Sequence, residues 1–400
     1  MSDTANGESG DQPQQPAAVT TDDHVIEQLD NQSQHGLRDS KGWDGKLRID
    51  RNALIQNPEA LSDPEYSDGD NVLAGDEIGA DEDLLNDEDA STEYINLTHS
   101  RIASIPALRL DRFNQVTNIC LRQNLIQDID GLSSLAPTLK DLDLYDNLIS
   151  HIRGLDELRE LTSLDLSFNK IKHIKHVANL TKLENLYFIS NKIGRIEGLE
   201  TLVNLRQVEL ASNRIREIQN LDALKNLENL YLASNKITEL KGLGGLPKLK
   251  LLSIQSNRIT DLSPLKDAPQ LEELLISHNA LESLEGLEHN TKLTLLDISN
   301  NKIKSLKGIG GLKEITDLWA SYNLITDFAD IERELGDKEE LETVYFEGNP
   351  LQLRQPALYR NKVRLALPNI KQIDASEFYN VDLPVRMGLR TDKDTSIRTT

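Results

Sequence analysis

A single cysteine, Cys120, stands in 400 residues, so the chain has no internal disulfide available to it. A chain this long without one fits a reducing compartment rather than a stapled secreted scaffold. No apolar run approaches the length of a membrane span, and the opening Met-Ser-Asp-Thr-Ala-Asn-Gly lacks the apolar centre of a signal peptide. The chain is therefore expected to be soluble and intracellular, with no membrane partner. Positive charge is short where it would matter most. Residues 1–93 hold 24 acidic and 5 basic residues, leaving 42 against 39 for the remainder of a chain whose net charge is −22. Non-specific nucleic-acid binding needs clustered cations that release counterions, so no direct nucleic-acid contact is expected. Phosphate loops, nucleophile elbows and Cys/His metal spacings are also missing, which argues against an enzyme and against any cofactor or metal.

What the chain does have is a period. The phrase Leu227-Glu-Asn-Leu-Tyr-Leu-Ala-Ser-Asn235 returns in variant form, and the asparagines from Asn147 to Asn323 are spaced by 22 residues throughout. A period in the twenties means a solenoid, whose units bury their apolar faces only by stacking on neighbours. The pattern Leu-x-x-Leu-x-Leu-x-x-Asn-x-Ile-x-x-Ile resembles the leucine-rich repeat. The expected fold is α/β: about twelve 22-residue units, with a curved parallel sheet on the concave face and short 3₁₀ or helical turns on the convex face. Asn124, Asn147 and their successors to Asn349 read as structural, pairing with the backbone of adjacent coils. Gly131, Gly154, Gly198, Gly242 and Gly286 recur where the chain reverses and suggest positive φ.

Four segments follow from composition. Residues 1–91 are acidic, polar and without apolar period, and are expected to be disordered. Within them lie the Lys41–Arg51 island around Trp43, a candidate docking motif, and Ser67, which has the look of an acid-directed phosphorylation site. The repeat array spans 92–349, opening with an atypical cap in which Ser100 takes the asparagine place. Phe328 to Leu335 reads as a convex helix stopped by Gly336. A terminal cap follows over 350–378, with Pro356 opening a helix that buries Tyr359 and Val363, and Leu365, Leu367, Ile370 and Ile373 sealing the end. Residues 379–400 form a polar tail.

The third and fifth positions of each unit leave the core for the concave face. The fifth reads Asp143, Asp165, Tyr187, Glu209, Tyr231, Ser253, Leu275, Asp297, Trp319 and Tyr345 in order, with Phe168 and Tyr322 at the eighth position. Aromatics make up only 4% of the chain, so their gathering on one exposed face points to a protein interface with aromatic anchors. Asp146, Asp141, Glu273 and Asp317 add acidity that asks for a basic patch opposite. His151 and His173 occupy equivalent places in successive units, with His176 nearby, and read as surface residues.

Several stretches carry a closer resemblance: Leu142-Asp-Leu-Tyr-Asp-Asn147, Leu164-Asp-Leu-Ser-Phe-Asn169, Leu341-Glu-Thr-Val-Tyr-Phe-Glu-Gly-Asn-Pro-Leu351 and Leu365-Ala-Leu-Pro-Asn-Ile-Lys-Gln-Ile-Asp374. Together they resemble the leucine-rich-repeat regulatory subunits of protein phosphatase 1 (the regulatory-subunit-7 family), over about Thr92 to Ala375. The resemblance implies a non-catalytic subunit, a monomer on its own. Its concave face would grip the phosphatase catalytic subunit and control its maturation, availability or nuclear targeting, with consequences at mitosis and in the cell cycle. A further inhibitory subunit in a ternary complex is part of that implication. Asp146, Phe168, Glu209, Asp317, Trp319 and Tyr345 correspond to the family's contact positions. A Lys/Arg-Val/Ile-x-Phe docking peptide is absent; Lys362-Val-Arg-Leu365 departs at its last residue and reads as cap core. The alternative is a scaffold of a ribonucleoprotein or cytoskeletal complex.

Overall fold

The structure, a computed structural model, describes residues 84–377. The Trp43 island, Ser67 and the tail from 379 lie outside them. Each coil contributes one three-residue strand: β1 (Tyr94–Asn96), β2 (Asn118–Cys120), β3 (Asp141–Asp143), β4 (Ser163–Asp165), β5 (Asn185–Tyr187) and β6 (Gln207–Glu209). The series continues with β7 (Asn229–Tyr231), β8 (Leu251–Ser253), β9 (Glu273–Leu275), β10 (Leu295–Asp297), β11 (Asp317–Trp319) and β12 (Thr343–Tyr345). These twelve pair in parallel and in sequence order; β13 (Gln372–Ile373) extends the sheet in parallel, and β14 (Ser376–Glu377) turns back antiparallel.

The period of two along a strand sorts the side chains. The middle residue of each, such as Leu142, Leu164, Leu186 and Val208, is fully buried, while its two neighbours face away from the core. Leu144, Ile149, Ile152 and their equivalents complete one continuous apolar interior.

The asparagine ladder closes the backbone account where each strand bends away. Asn235 Oδ1 accepts from Ile215 N of the preceding coil at 2.9 Å, while its Nδ2 donates to Leu210 O at 2.9 Å and Leu232 O at 3.1 Å. Peptide groups that no strand can pair are thereby satisfied between coils. The residue before each ladder asparagine holds positive φ, from Gln123 through Tyr322 to Gly348. Beyond the last asparagine, Asp374 takes over: its Oδ1 accepts from Phe346 N at 2.9 Å, Glu347 N at 3.1 Å and the Tyr359 hydroxyl at 3.0 Å. Burial, and then the Asp374 carboxylate, push the Tyr359 phenol far above its ordinary value.

The five anticipated glycines all hold positive φ, and Gly308 joins them. Helix α1 (Phe328–Leu335) falls where expected, capped by Asp327, whose side chain accepts from Ala329 N. Gly336 stops it without a left-handed turn, at φ −65; a Cβ there would meet Glu332 O at 2.4 Å. After α2 (Pro350–Leu353), Pro356 opens α3 (Pro356–Ala366), which buries Tyr359 and Val363.

Two expectations need correction. Residues 84–91 fall in the segment expected to be disordered, yet Leu85 is buried in the core and its carbonyl accepts from Arg112, because the open end of the first coil needs an apolar plug. Leu365 is not cap core either. It is 79% exposed, since the buried stripe of α3 runs through Tyr359, Val363 and Ala366 and turns Leu365 outward.

Candidate protein-binding face

Register turns the outward positions of the strands into rows. Asp165, Tyr187, Glu209 and Tyr231 stand on four consecutive strands as directly paired residues, followed by Ser253, Leu275, Asp297, Trp319 and Tyr345. The in-register parallel sheet thus gathers onto one face residues that are 22 apart in sequence.

The face has a cluster at each end. Towards the C-terminal end, the Trp319 and Tyr345 rings meet edge to face with centroids 6.2 Å apart. They line a cavity of about 390 Å³ together with Asp297, Ser277, His278 and Asn300. Asp297 is nearly buried, and its Oδ1 accepts from Ser299 N at 3.0 Å. Gln372 Nε2 donates to the Tyr345 hydroxyl at 2.8 Å, holding that ring from the cap side. Asp317 precedes this pair on β11 and accepts from the Thr316 hydroxyl at 2.7 Å.

Towards the N-terminal end, Phe168 packs against Tyr145 with centroids 4.7 Å apart. The Arg122 guanidinium lies over Tyr145 at 4.2 Å and meets Asp143 at 3.4 Å. Tyr145 and Arg122 did not stand out in the sequence. The signal was there: Tyr145 occupies the seventh position, one coil before Phe168 at the eighth.

Between the clusters, Tyr187 and Tyr231 flank Glu209, which accepts from Gln207 Nε2 at 2.7 Å. Burial, and then the Glu209 carboxylate, raise both phenols, and burial raises Glu209 itself. Asp141 and Asp143 are also held above the ordinary carboxylate value, by burial first and also by repulsion from Asp165. Partial burial disfavours the charged carboxylate, and a like charge stacked in register disfavours it further.

Asp146, Phe168 and Tyr322 sit off the strands, at the eighth position, in the left-handed region at φ 55, 56 and 54. That conformation suits Gly, Asn, Asp or His and is unfavourable for a bulky side chain. Phe168 and Tyr322 nevertheless occupy it while remaining 42% and 55% exposed, so burial does not offset the strain. Tyr322 lies over Gly348, where an added Cβ would come within 2.4 Å of its ring. The fold imposes this conformation at the eighth position of every coil, and Phe168 and Tyr322 hold their rings open to solvent there.

His173 Nδ1 lies 3.0 Å from Glu197 Oε1, and His151 Nδ1 lies 3.0 Å from the Ser150 hydroxyl. Among the described residues, no group of three or more His, Cys, Asp or Glu side chains is arranged to hold a metal ion. Nor is any helix among them long and apolar enough to cross a membrane. Cys120 faces Thr98, with Sγ 3.3 Å from its hydroxyl.

Comparison with known proteins agrees with the coil geometry. The family model "Leucine rich repeat" matches residues 114–171, and "Leucine Rich repeats (2 copies)" matches 225–267 and 269–311. The fold is the leucine-rich-repeat solenoid. An internalin from Listeria monocytogenes superposes with a TM-score of 0.56 at 24% identity, covering 72% of this chain and 87% of that one. A leucine-rich-repeat protein of Leptospira interrogans gives 0.54 at 26%, covering 67% and 74%.

Among curated proteins, the chain is 60% identical over 65 residues to Protein phosphatase 1 regulatory subunit SDS22 of Schizosaccharomyces pombe, covering 16% of this chain and 20% of the relative. It is also 49% identical over 53 residues to Protein phosphatase 1 regulatory subunit 7 of Xenopus tropicalis, covering 13% and 14%. The match spans about a fifth of the first relative's length. The named relatives are regulatory subunits of that phosphatase.

Proposed function

We propose that the chain is a non-catalytic regulatory subunit of protein phosphatase 1 that binds the catalytic subunit across the open face of its sheet. The observation that carries this reading is one row of side chains, Tyr187, Glu209, Tyr231, Asp297, Trp319 and Tyr345, presented on consecutive or near-consecutive strands. The local identity to regulatory subunits of this phosphatase supports it. A sheet fixed by its own ladder loses little freedom on binding. The aromatic anchors supply affinity, and Asp141, Glu209, Asp317 and their neighbours steer a basic surface into register. Phe168 and Tyr322 extend the contact beyond the strands.

Control of the phosphatase's maturation, availability or nuclear targeting, with mitotic consequences, follows from holding the enzyme away from its reaction centre. The reading includes residence in nucleus and cytoplasm, a monomeric free state, and room for a further inhibitory subunit. Capture of the phosphatase catalytic subunit by the full chain tests it, with Trp319→Ala and Phe168→Ala introduced together and folding checked by circular dichroism. Retention by the parent and loss by the variant is expected; equal capture by both sinks the proposed face, and no capture by either sinks the phosphatase reading.

A further inference from the structure

Helix α3 carries apolar residues on two sides. Tyr359, Val363 and Ala366 face the core, the single stripe that a surface helix needs. A second stripe faces outward, with Leu358, Asn361 and Leu365 at steps of three and four and Pro368 continuing it past the helix end. Leu358 is 52% exposed and Leu365 is 79% exposed. Asn361, Arg364, Leu365 and Pro368 line a groove of about 400 Å³. Two leucines on one outward stripe beside a groove form a patch that a covering segment would take out of water.

The chain leaves the described residues next to this groove. Strand β14 pairs antiparallel with β13, Gln372 opposite Glu377 and Ile373 opposite Ser376. At Glu377 the chain is therefore heading back along the stretch that precedes β13, towards Pro368 and the end of α3. Arg360 of α3 fastens this exit, donating to Ile373 O at 2.6 Å and to Ser376 O at 3.1 Å. One helical turn beyond Arg360 comes Arg364, where the groove begins.

The sequence that follows suits a groove. From Tyr379 to Leu389 every odd-numbered residue is aromatic or aliphatic (Tyr, Val, Leu, Val, Met, Leu), and every even-numbered one is Asn, Asp, Pro, Arg or Gly. That is the period of an extended segment with one apolar edge. The polar character expected from 379 begins only at Arg390. Residues 379–389 span about 36 Å when extended, against about 15 Å along the helix from Leu358 to Pro368.

We propose that residues 379–389 of this same chain lie extended in the α3 groove, apolar edge inward, as the outermost layer of the solenoid's C-terminal end. The segment covers Leu358 and Leu365. Pro384 lacks the N–H that a newly formed outer edge would otherwise offer to another chain. A tethered occupant outcompetes a free one because its exit at Glu377 keeps it concentrated at the groove's mouth. None of these residues belongs to the sheet face, so the docking is independent of the phosphatase reading. A segment held by so few side chains leaves the groove in urea below the array's own transition. Its docking is therefore read locally and not from the unfolding midpoint.

Trypsin reads it on the full chain, since Arg386 lies inside the segment and Arg398 beyond it. When undocking is fast relative to cleavage, the cutting rate follows the undocked population. The Leu358→Gln/Leu365→Gln variant keeps good helix formers at two exposed positions, and circular dichroism checks its fold. Mass spectrometry is expected to show cleavage after Arg386 about tenfold faster than in the parent, and cleavage after Arg398 within about twofold of it. Leu383→Gln, a change in the tail itself, is expected to accelerate the same cut about threefold. Cleavage after Arg386 that is as fast in the parent as in the groove variant overturns the proposal. Protection that disappears on about tenfold dilution of the parent also overturns it, by giving the groove to a second copy of the chain.

Discussion

The Trp319 indole presents its edge to the Tyr345 ring across the β11–β12 pair, with centroids 6.2 Å apart, beside the nearly buried Asp297 carboxylate. An edge-to-face pair contributes about 0.5–1.5 kcal/mol beyond its burial. A buried interface anchor removed by truncation costs about 2 kcal/mol or more, roughly thirtyfold in affinity. Trp319→Ala is therefore expected to lower the urea midpoint only slightly while weakening phosphatase binding at least about thirtyfold. Leu365→Ala, which removes an apolar side chain from outside the face, is the matched control and leaves both unchanged. Calorimetric titration of the two variants separates the effects; comparable losses in both point away from the sheet face.

The acids of that face set a pH dependence with a definite sign. Asp141 lies above its ordinary value of 3.8 because of burial first and Asp165 second. A carboxyl whose folded pKa exceeds its unfolded one favours the fold while protonated. Its contribution is fully present below the unfolded pKa and is lost as pH rises through the folded one. At neutral pH, the free array carries Asp141 as an unfavourable charge that a cationic partner relieves. Asp141→Asn is thus expected to raise the urea midpoint at about pH 7, with the gain disappearing near about pH 3.5, while phosphatase binding weakens at neutral pH. A lower midpoint at neutral pH would mean that Asp141 is net stabilised in the fold.

How far these features could be read from the sequence depended on whether they repeat. The 22-residue step fixed the coils, the ladder asparagines and the outward rows, because each rests on spacing within one unit. Helix α1 was legible for the same reason: Phe328 to Leu335 breaks the step with one helical stripe and a glycine after it. What escaped notice required knowing which residues meet. Tyr145 is distinguished by contact alone, with Arg122 and Phe168 closing on it from neighbouring coils. Asn290 is fully buried outside the ladder, with Nδ2 donating to Leu265 O at 3.0 Å and Ala268 O at 2.9 Å. It stands where other coils place Leu or Ala, so periodicity treats it as an exception.

The ladder makes a stability prediction. Asn235→Ala leaves Ile215 N–H without its side-chain partner in a place closed to water, and takes one of two asparagine donors from Leu210 O, which keeps Asn213, and from Leu232 O, which keeps Asn257. An orphaned buried group costs about 1–3 kcal/mol, and a loss in that range is expected. Because coupling in a solenoid passes between nearest neighbours, the loss should be concentrated near the break. Hydrogen exchange is expected to accelerate most in the coils of Asn213, Asn235 and Asn257. Uniform acceleration across the array would contradict nearest-neighbour coupling.

Two glycines four residues apart predict opposite outcomes. Gly198 holds φ +74, and a Cβ there would stand 2.5 Å from Ile174 O, a backbone atom of the preceding coil that the stacked core holds in place. Gly198→Ala must either strain the turn or push two coils apart, and is expected to cost more than about 1 kcal/mol. Gly194 has no heavy atom within 4 Å of the corresponding Cβ and no left-handed φ. An alanine there narrows the unfolded ensemble without a clash, for an expected gain of about 0.4–1 kcal/mol. Urea midpoints of the two single variants decide the matter. A stable Gly198→Ala chain would show that the coils have slack at this turn, and a destabilised Gly194→Ala chain would show that the open space beside Gly194 is closed in solution.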